Sequence, residues 1–195
     1  MTKSIIITGI GGQGVVTAAG ILRRSIIALG YRLTGSDNRG GAQRQGHVAC
    51  VIRYSDEPER PLAAEVPPDS LDLLISLEAT EGLKYFSTFS SGTVIVNSSH
   101  IVTPINLRHK RLSYFSLKET EDMYRKATQK VYCIDLNKLA IEKFKNVIVA
   151  NLIALGASLA AAGLSDLETE ILKSLEENEK SAFLLGKHEL ESQGK

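Results

Sequence analysis

The stretch Ser4-Ile5-Ile6-Ile7-Thr8-Gly9-Ile10-Gly11-Gly12-Gln13-Gly14-Val15-Val16 decides the fold. A β-branched run ends in four glycines set within six positions, and a helical apolar pattern begins at once. Gly9, Gly11 and Gly14 satisfy G-x-G-x-x-G, with Gly12 as an extra glycine. Strand, glycine turn and helix in this order present bare backbone N–H groups to an anion at a helix N-terminus. The motif alone leaves two readings open: a nucleotide-type phosphate on the turn, or glycines that only permit tight strand–helix packing.

Working outward, Gln13 to Leu29 place Val15, Val16, Ala19, Leu22, Ile26 and Leu29 at helical spacing, and Gly30 suits the C′ position. Tyr31 to Gly35 reads as a second strand, whereas Ser36 to Gly46 shows no apolar face at either period and reads as a loop. His47 to Tyr54 alternates as a third strand. Parallel strands need a connection of about a dozen residues or more, usually helical. The gap before His47 is too short for that, so the third strand should run antiparallel to the second.

Prolines 58, 61, 67 and 68 mark a connection over Ser55–Ser70. Leu71–Leu77 reads as a buried strand, Glu78–Phe86 as a short helix and Thr93–Asn97 as a strand. His100–Leu117 is the least regular section, with short strands expected around Thr103-Pro104. Glu119–Thr128 reads as a helix, Lys130–Asp135 as a strand and Leu136–Phe144 as a helix. Asn146–Ala162 is an apolar helix stopped by Gly163. Ser165–Leu175 follows, with Ser165 and Glu168 spaced as a capping box, and then a polar helical tail over Asn178–Ser192. The order favours one α/β domain over residues 1–195: three-layer and Rossmann-like, with a mixed sheet and a helical C-terminal third.

Bulk properties narrow the function classes. A net charge of +1 gives no compositional support to a nucleic-acid role, so any anion site must be local. Cys50 and Cys133 are far apart in sequence and form no C-x-x-C pair. A structural zinc site or a cluster held by this chain needs about four ligands and is not expected. Two lone cysteines suit a reducing, cytoplasmic setting. The charge-free stretch Val147–Ser165 is Ala-rich and interrupted by Asn151 and Ser158. It lies at the lower edge of membrane-span length and reads as a buried helix, either of the core or of a subunit interface, not as a membrane segment.

Two glycine-rich segments are the binding candidates. In a dinucleotide site an acidic residue about 20 positions after the turn takes the ribose. Asp37 stands near that distance, but the second crossover helix of such a site has no room. The loop Asp37-Asn38-Arg39-Gly40-Gly41-Ala42-Gln43-Arg44-Gln45-Gly46-His47 sets two arginines among glycines, which suits carboxylate or phosphate oxygens approached closely by backbone. If the first two strands are parallel neighbours, the turn and this loop share the ligand-binding edge of the sheet. Glu78 falls on the same edge, where a carboxylate opening a helix and complementing its dipole is the plainer reading. No His, Ser or Cys stands in a pattern that reads as a catalytic set, and no acid/base couple is legible.

Taken together, these segments resemble the gamma-type subunit of 2-oxoacid:ferredoxin oxidoreductases, and within that family the small (beta) subunit of indolepyruvate oxidoreductase. Ile7–Gly14 is similar to the family's G-x-G-G-Q-G start, and Ser36–Gly46 to its Gly-, Arg- and Gln-rich second signature. Leu71–Ala79, Gly92–Ser98 and Asn151–Ala157 resemble three further segments, in order along nearly the whole chain. The His-Gly-Met part carried by many indolepyruvate-type members is absent here, so the resemblance does not fix the 2-oxoacid.

The resemblance implies a fold like domain III of pyruvate:ferredoxin oxidoreductase. It implies a subunit, inactive alone, of an enzyme that makes acyl-CoA and passes electrons to ferredoxin. Thiamine diphosphate and iron–sulfur clusters would belong to partner subunits, and CoA would lie at this chain's edge. The candidate cofactor-binding residues are then Gly9, Gly11, Gly12, Gln13, Gly14, Asp37, Arg39, Gly40, Gly41, Gln43, Arg44 and Glu78. Catalytic and metal-binding residues are expected to be none. A homodimer of the isolated chain and a stand-alone NAD(P)-binding module stay open.

Overall fold

The computed structural model describes residues 1–40, 46–57, 59, 61–103 and 113–193. Among the described residues six strands form one sheet: β1 (Thr2–Ile10), β2 (Arg32–Arg39), β3 (His47–Ser55), β4 (Leu73–Ser76), β5 (Val94–Ser98) and β6 (Val131–Ile134), in the order β2-β3-β1-β4-β5-β6. β1, β4, β5 and β6 are parallel neighbours, and β3 runs antiparallel to both β1 and β2. The sheet is therefore mixed, as expected, with the third strand reversed. One expectation is corrected: the first two strands are not neighbours, because β3 lies between them. They still point the same way, so the segments that follow them leave from one edge.

The helices are α1 (Val15–Ala28), α2 (Leu117–Arg125), α3 (Leu136–Phe144), α4 (Ala150–Ala162), α5 (Ser165–Ser174) and α6 (Glu177–Gln193), with a 3₁₀-helix over Glu81–Thr88 and a short one over Val147–Val149. Strand side chains alternate between the two faces. Ile5, Ile7, Ile52, Leu73, Ile75 and Val96 pack with α1, α3, α4, α5 and α6 in the larger core. Ile6, Leu74 and Ile95 pack with Leu71, Phe89 and Tyr124 under the 3₁₀-helix and α2. Helices thus cover both faces, giving the three layers.

The apolar helix α4 belongs to the core: Ala150 to Leu159 are buried throughout. The polar tail covers it. A Cβ on Gly156 would stand 1.9 Å from the Phe183 carbonyl oxygen, and one on Gly186 equally close to that of Ile153. The two backbones cross at a separation that only glycine permits. Among the described residues no helix is long and apolar enough to cross a membrane.

Several boundaries move, each for a physical reason. The second strand does not stop at Gly35; its ladder runs to the pair Arg39–Val48. Residues 36–39 carry no apolar face because β2 is an exposed edge strand. The corner after β4 makes a 3₁₀-helix rather than an α-helix from Glu78. Helix α2 starts two residues earlier than expected, because Ser116 caps it: Glu119 N donates to Ser116 Oγ, and Ser116 N donates to Glu119 Oε2. The capping box expected at Ser165 does not form. α5 has no side-chain cap, and Glu168 instead accepts from Lys187 Nζ at 2.7 Å. The short strands expected around Thr103-Pro104 lie outside the described residues.

Candidate functional site

The carboxyl ends of β1, β2, β4, β5 and β6 meet the start of β3 along one edge of the sheet. Ligands of open α/β sheets bind there. At its centre is the Gly9–Gly14 turn. Gly12 (φ 100°) and Gly14 (φ 79°) take the left-handed conformation that side chains rarely adopt. Gln13 closes the turn: its Oε1 accepts from Ile10 N at 2.8 Å, and its Nε2 donates to Leu77 O at 3.0 Å. Asn151 of α4 donates to Gly14 O at 3.3 Å, and Gly11 N donates to Gly46 O at 2.9 Å. The turn is thus tied to β4, α4 and the base of the loop before β3.

Two features leave the turn open to an anion. Among the described residues no side chain caps α1 and no acidic residue lies in its first turn, and its leading N–H groups have no acceptor within the helix. Among the described residues nothing lies within 4 Å of where a Cβ on Gly12 would stand. Beside it Gly12, Gln13, Leu77, Leu136, Asn137, Val147 and Ala150 line a cavity of about 70 Å³. Exposed Ile141, Val147 and Ile148 stand on the elements around it.

The structure does not bring Asp37 to this turn. Asp37 lies inside β2, paired in register with Cys50, and accepts from Arg23 Nη2 of α1 at 2.6 Å. The Arg23 guanidinium holds its carboxyl below the usual range. With β3 intervening, β2 stands about 10 Å from β1, two strand spacings. The residue whose spacing suits a ribose contact is thus paired with α1. Arg39 ends β2 and is exposed, and Gly40 N donates to His47 O at 2.7 Å. Gly41, Gln43 and Arg44 lie outside the described residues.

Glu78 is on the edge but buried to 1% exposure. Its Oε2 accepts from Thr80 N, Thr80 Oγ1 and Glu81 N at 2.8, 2.8 and 3.0 Å, and its Oε1 accepts from Val102 N at 2.8 Å. The carboxylate organises the corner that leads into the 3₁₀-helix.

Next to it is a cluster that the sequence did not announce. His47 Nδ1 bonds Glu81 Oε2, His47 Nε2 lies 3.0 Å from Tyr85 Oη, and Lys84 Nζ donates to Glu81 Oε2 at 2.6 Å. Burial works against ionisation of Glu81, but the bonds from His47 and Lys84 outweigh it and hold its carboxyl below the usual range. Burial pushes the Tyr85 phenol up to about 12, which keeps it a donor. The only clue in the sequence was position, since His47 opens β3 and Glu81 follows β4; the strand order makes them neighbours.

Burial disfavours the thiolate form of both cysteines. Burial pushes the thiols of Cys50 and Cys133 up to about 12. Among the described residues no group of three or more His, Cys, Asp or Glu side chains could hold a metal ion.

Comparison with known proteins points one way. The model of the family "Pyruvate ferredoxin/flavodoxin oxidoreductase" matches residues 4–185. The chain is similar to indolepyruvate oxidoreductase subunit IorB of Pyrococcus horikoshii, 31% identical over 82% of this chain and 78% of that protein. Its fold is similar to that of the gamma subunit of a keto/oxoacid ferredoxin oxidoreductase from Geobacter sulfurreducens. The TM-score is 0.66 at 23% identity, over 97% of this chain and 99% of that one. The fold is also similar to part of the 2-oxoglutarate:ferredoxin oxidoreductase of Magnetococcus marinus, solved with 2-oxoglutarate, coenzyme A and succinyl-CoA bound. There the TM-score is 0.66 at 17% identity, over 98% of this chain and 31% of that one.

Proposed function

The chain belongs to the pyruvate ferredoxin/flavodoxin oxidoreductase family, among its gamma-type and small subunits, and from that premise we propose that it forms one wall of a CoA site in a heteromeric 2-oxoacid oxidoreductase. It acts as a single domain that makes no acyl-CoA by itself. Thiamine diphosphate, the iron–sulfur clusters and the ferredoxin contact belong to partner subunits.

The observation that carries this reading is the uncapped, glycine-lined N-terminus of α1 at the carboxyl edge of the sheet. Free N–H groups there complement phosphate oxygens, and the exposed Arg39 supplies a charged donor from the same edge. The cavity of about 70 Å³ beside the turn is far smaller than the several hundred Å³ of a ligand pocket, which supports a site completed by a second subunit. The exposed Ile141, Val147 and Ile148 offer that subunit an apolar contact. The bound CoA of the Magnetococcus enzyme accords with this choice of ligand. Asp37, held by Arg23, weighs against a nicotinamide dinucleotide on the same turn.

The test is purification of the native complex followed by calorimetric titration with CoA, NADH and NADPH. A thiamine-diphosphate-binding partner and a CoA response are expected. A complex without such a partner, or nicotinamide binding without a CoA response, would contradict the proposal.

A further inference from the structure

We infer that Glu81, His47 and Tyr85 form a hydrogen-bonded clamp on the stem of the loop between β2 and β3, which makes His47 a positioning residue for the anion site. This rests on the CoA reading above. The Glu81 carboxylate can only accept, so His47 Nδ1 carries the proton between them. Nε2 then faces the Tyr85 hydroxyl at 3.0 Å, and burial keeps that phenol a donor across the physiological range. Both ring nitrogens are used, and Lys84 gives the carboxylate a further donor.

The ring belongs to the first residue after the loop. The His47 carbonyl receives Gly40 N, the residue before the loop's undescribed part, and the Gly46 carbonyl receives Gly11 N of the glycine turn. Two backbone bonds therefore fasten the stem to β2 and to the turn. The side-chain relay fastens it from the opposite face of the sheet to the 3₁₀-helix. That face is set by register: His47 shares it with Ala49 and Val51, whereas Val48, Cys50 and Ile52 face α1. Arg39 and the turn's N–H groups can meet one ligand only if the stem keeps its place, and the relay restrains it from the face opposite α1.

The experiment compares wild type with His47→Ala, His47→Gln and Tyr85→Phe. Amide hydrogen exchange of the full chain is followed at Gly11 and Gly40, with Ile5 and Ile52 as controls. KM for CoA and kcat are measured in the assembled complex. His47→Ala should speed exchange at Gly11 and Gly40 at least tenfold, leave the controls unchanged, and raise KM for CoA about tenfold with kcat within twofold. Tyr85→Phe, which deletes one bond and no volume, should act in the same direction and more weakly, and His47→Gln should restore part of the loss. Unchanged exchange at Gly11 and Gly40 would overturn the clamp. Faster exchange with an unchanged KM, or a fall in kcat alone, would overturn the positioning role. Failure of the wild-type complex to bind CoA would overturn the CoA reading instead, and the exchange data would still judge the clamp.

Discussion

Two corners at the same edge of the sheet end their strands in opposite ways. After β1 the chain turns through Gly12 and Gly14, and the helix that follows has no side-chain cap. After β4 the chain turns around Glu78, a buried carboxylate that takes the N–H groups of Thr80, Glu81 and Val102. The second corner supplies its own acceptor; among the described residues the equivalent donors of the first have none. Neighbouring parallel strands of one mixed sheet therefore yield a self-satisfied corner and an open one, and what separates them is a glutamate in one and glycines in the other.

The largest effect should come from emptying the closed corner. Glu78→Ala orphans several buried N–H donors at roughly 1–3 kcal/mol each, so a loss of roughly 3–5 kcal/mol is expected. Thermal unfolding should fall by roughly 10 °C at this chain length. A drop of less than about 2 °C would erase the distinction between the corners.

Filling the open corner should do the reverse. Gly12→Val should cost about 1–2 kcal/mol in stability through its backbone conformation, and CoA affinity of the complex should fall more than tenfold because the Cβ enters the space left for a ligand. Gly14→Val sharpens this, since its Cβ would stand 2.3 Å from Asn151 Nδ2. There stability should fall with binding. If Gly12→Val lost both equally, the turn would be a packing device only.

Arg39→Ala comes next. It should leave the melting temperature within about 1 °C, as exposed substitutions do, and weaken CoA binding about tenfold, the worth of one charge-assisted hydrogen bond.

The smallest effect is on acid stability. Glu81 has its folded pKa held below the ordinary value, because bonds from His47 and Lys84 overcome the cost of burial. Its contribution is complete above the unfolded pKa of about 4.3 and is lost as pH falls through the lower folded value. Glu81→Gln should therefore flatten the decline of melting temperature between about pH 5 and about pH 3. An unchanged slope would remove Glu81 from the acid response.

The open corner was legible in the sequence and the closed one was not. Gly9 to Gly14 announce a turn because glycine's backbone freedom is local, and the short gap before His47 fixed the antiparallel strand through chain length alone. Glu78 was legible as a carboxylate opening a helix, but its fourth donor, Val102 N, comes from beyond β5. The pairing of His47 with Glu81 depends on strand order, which puts β1 between their strands; spacing holds no trace of it. Residues 36–39 misled because an exposed edge strand lacks the apolar alternation by which strands are read. Asp37 was read from its distance from the turn, which fits a ribose contact; its partner, Arg23 on α1, depends on the three-dimensional arrangement and leaves no such trace.

The most direct measurement is a structure of the assembled complex with CoA bound. A shared anion site predicts CoA phosphate oxygens within ~3 Å of the amide nitrogens at the start of α1, with Arg39 on the same ligand. CoA held by partner subunits alone, with the glycine turn closed by a partner side chain, would contradict it.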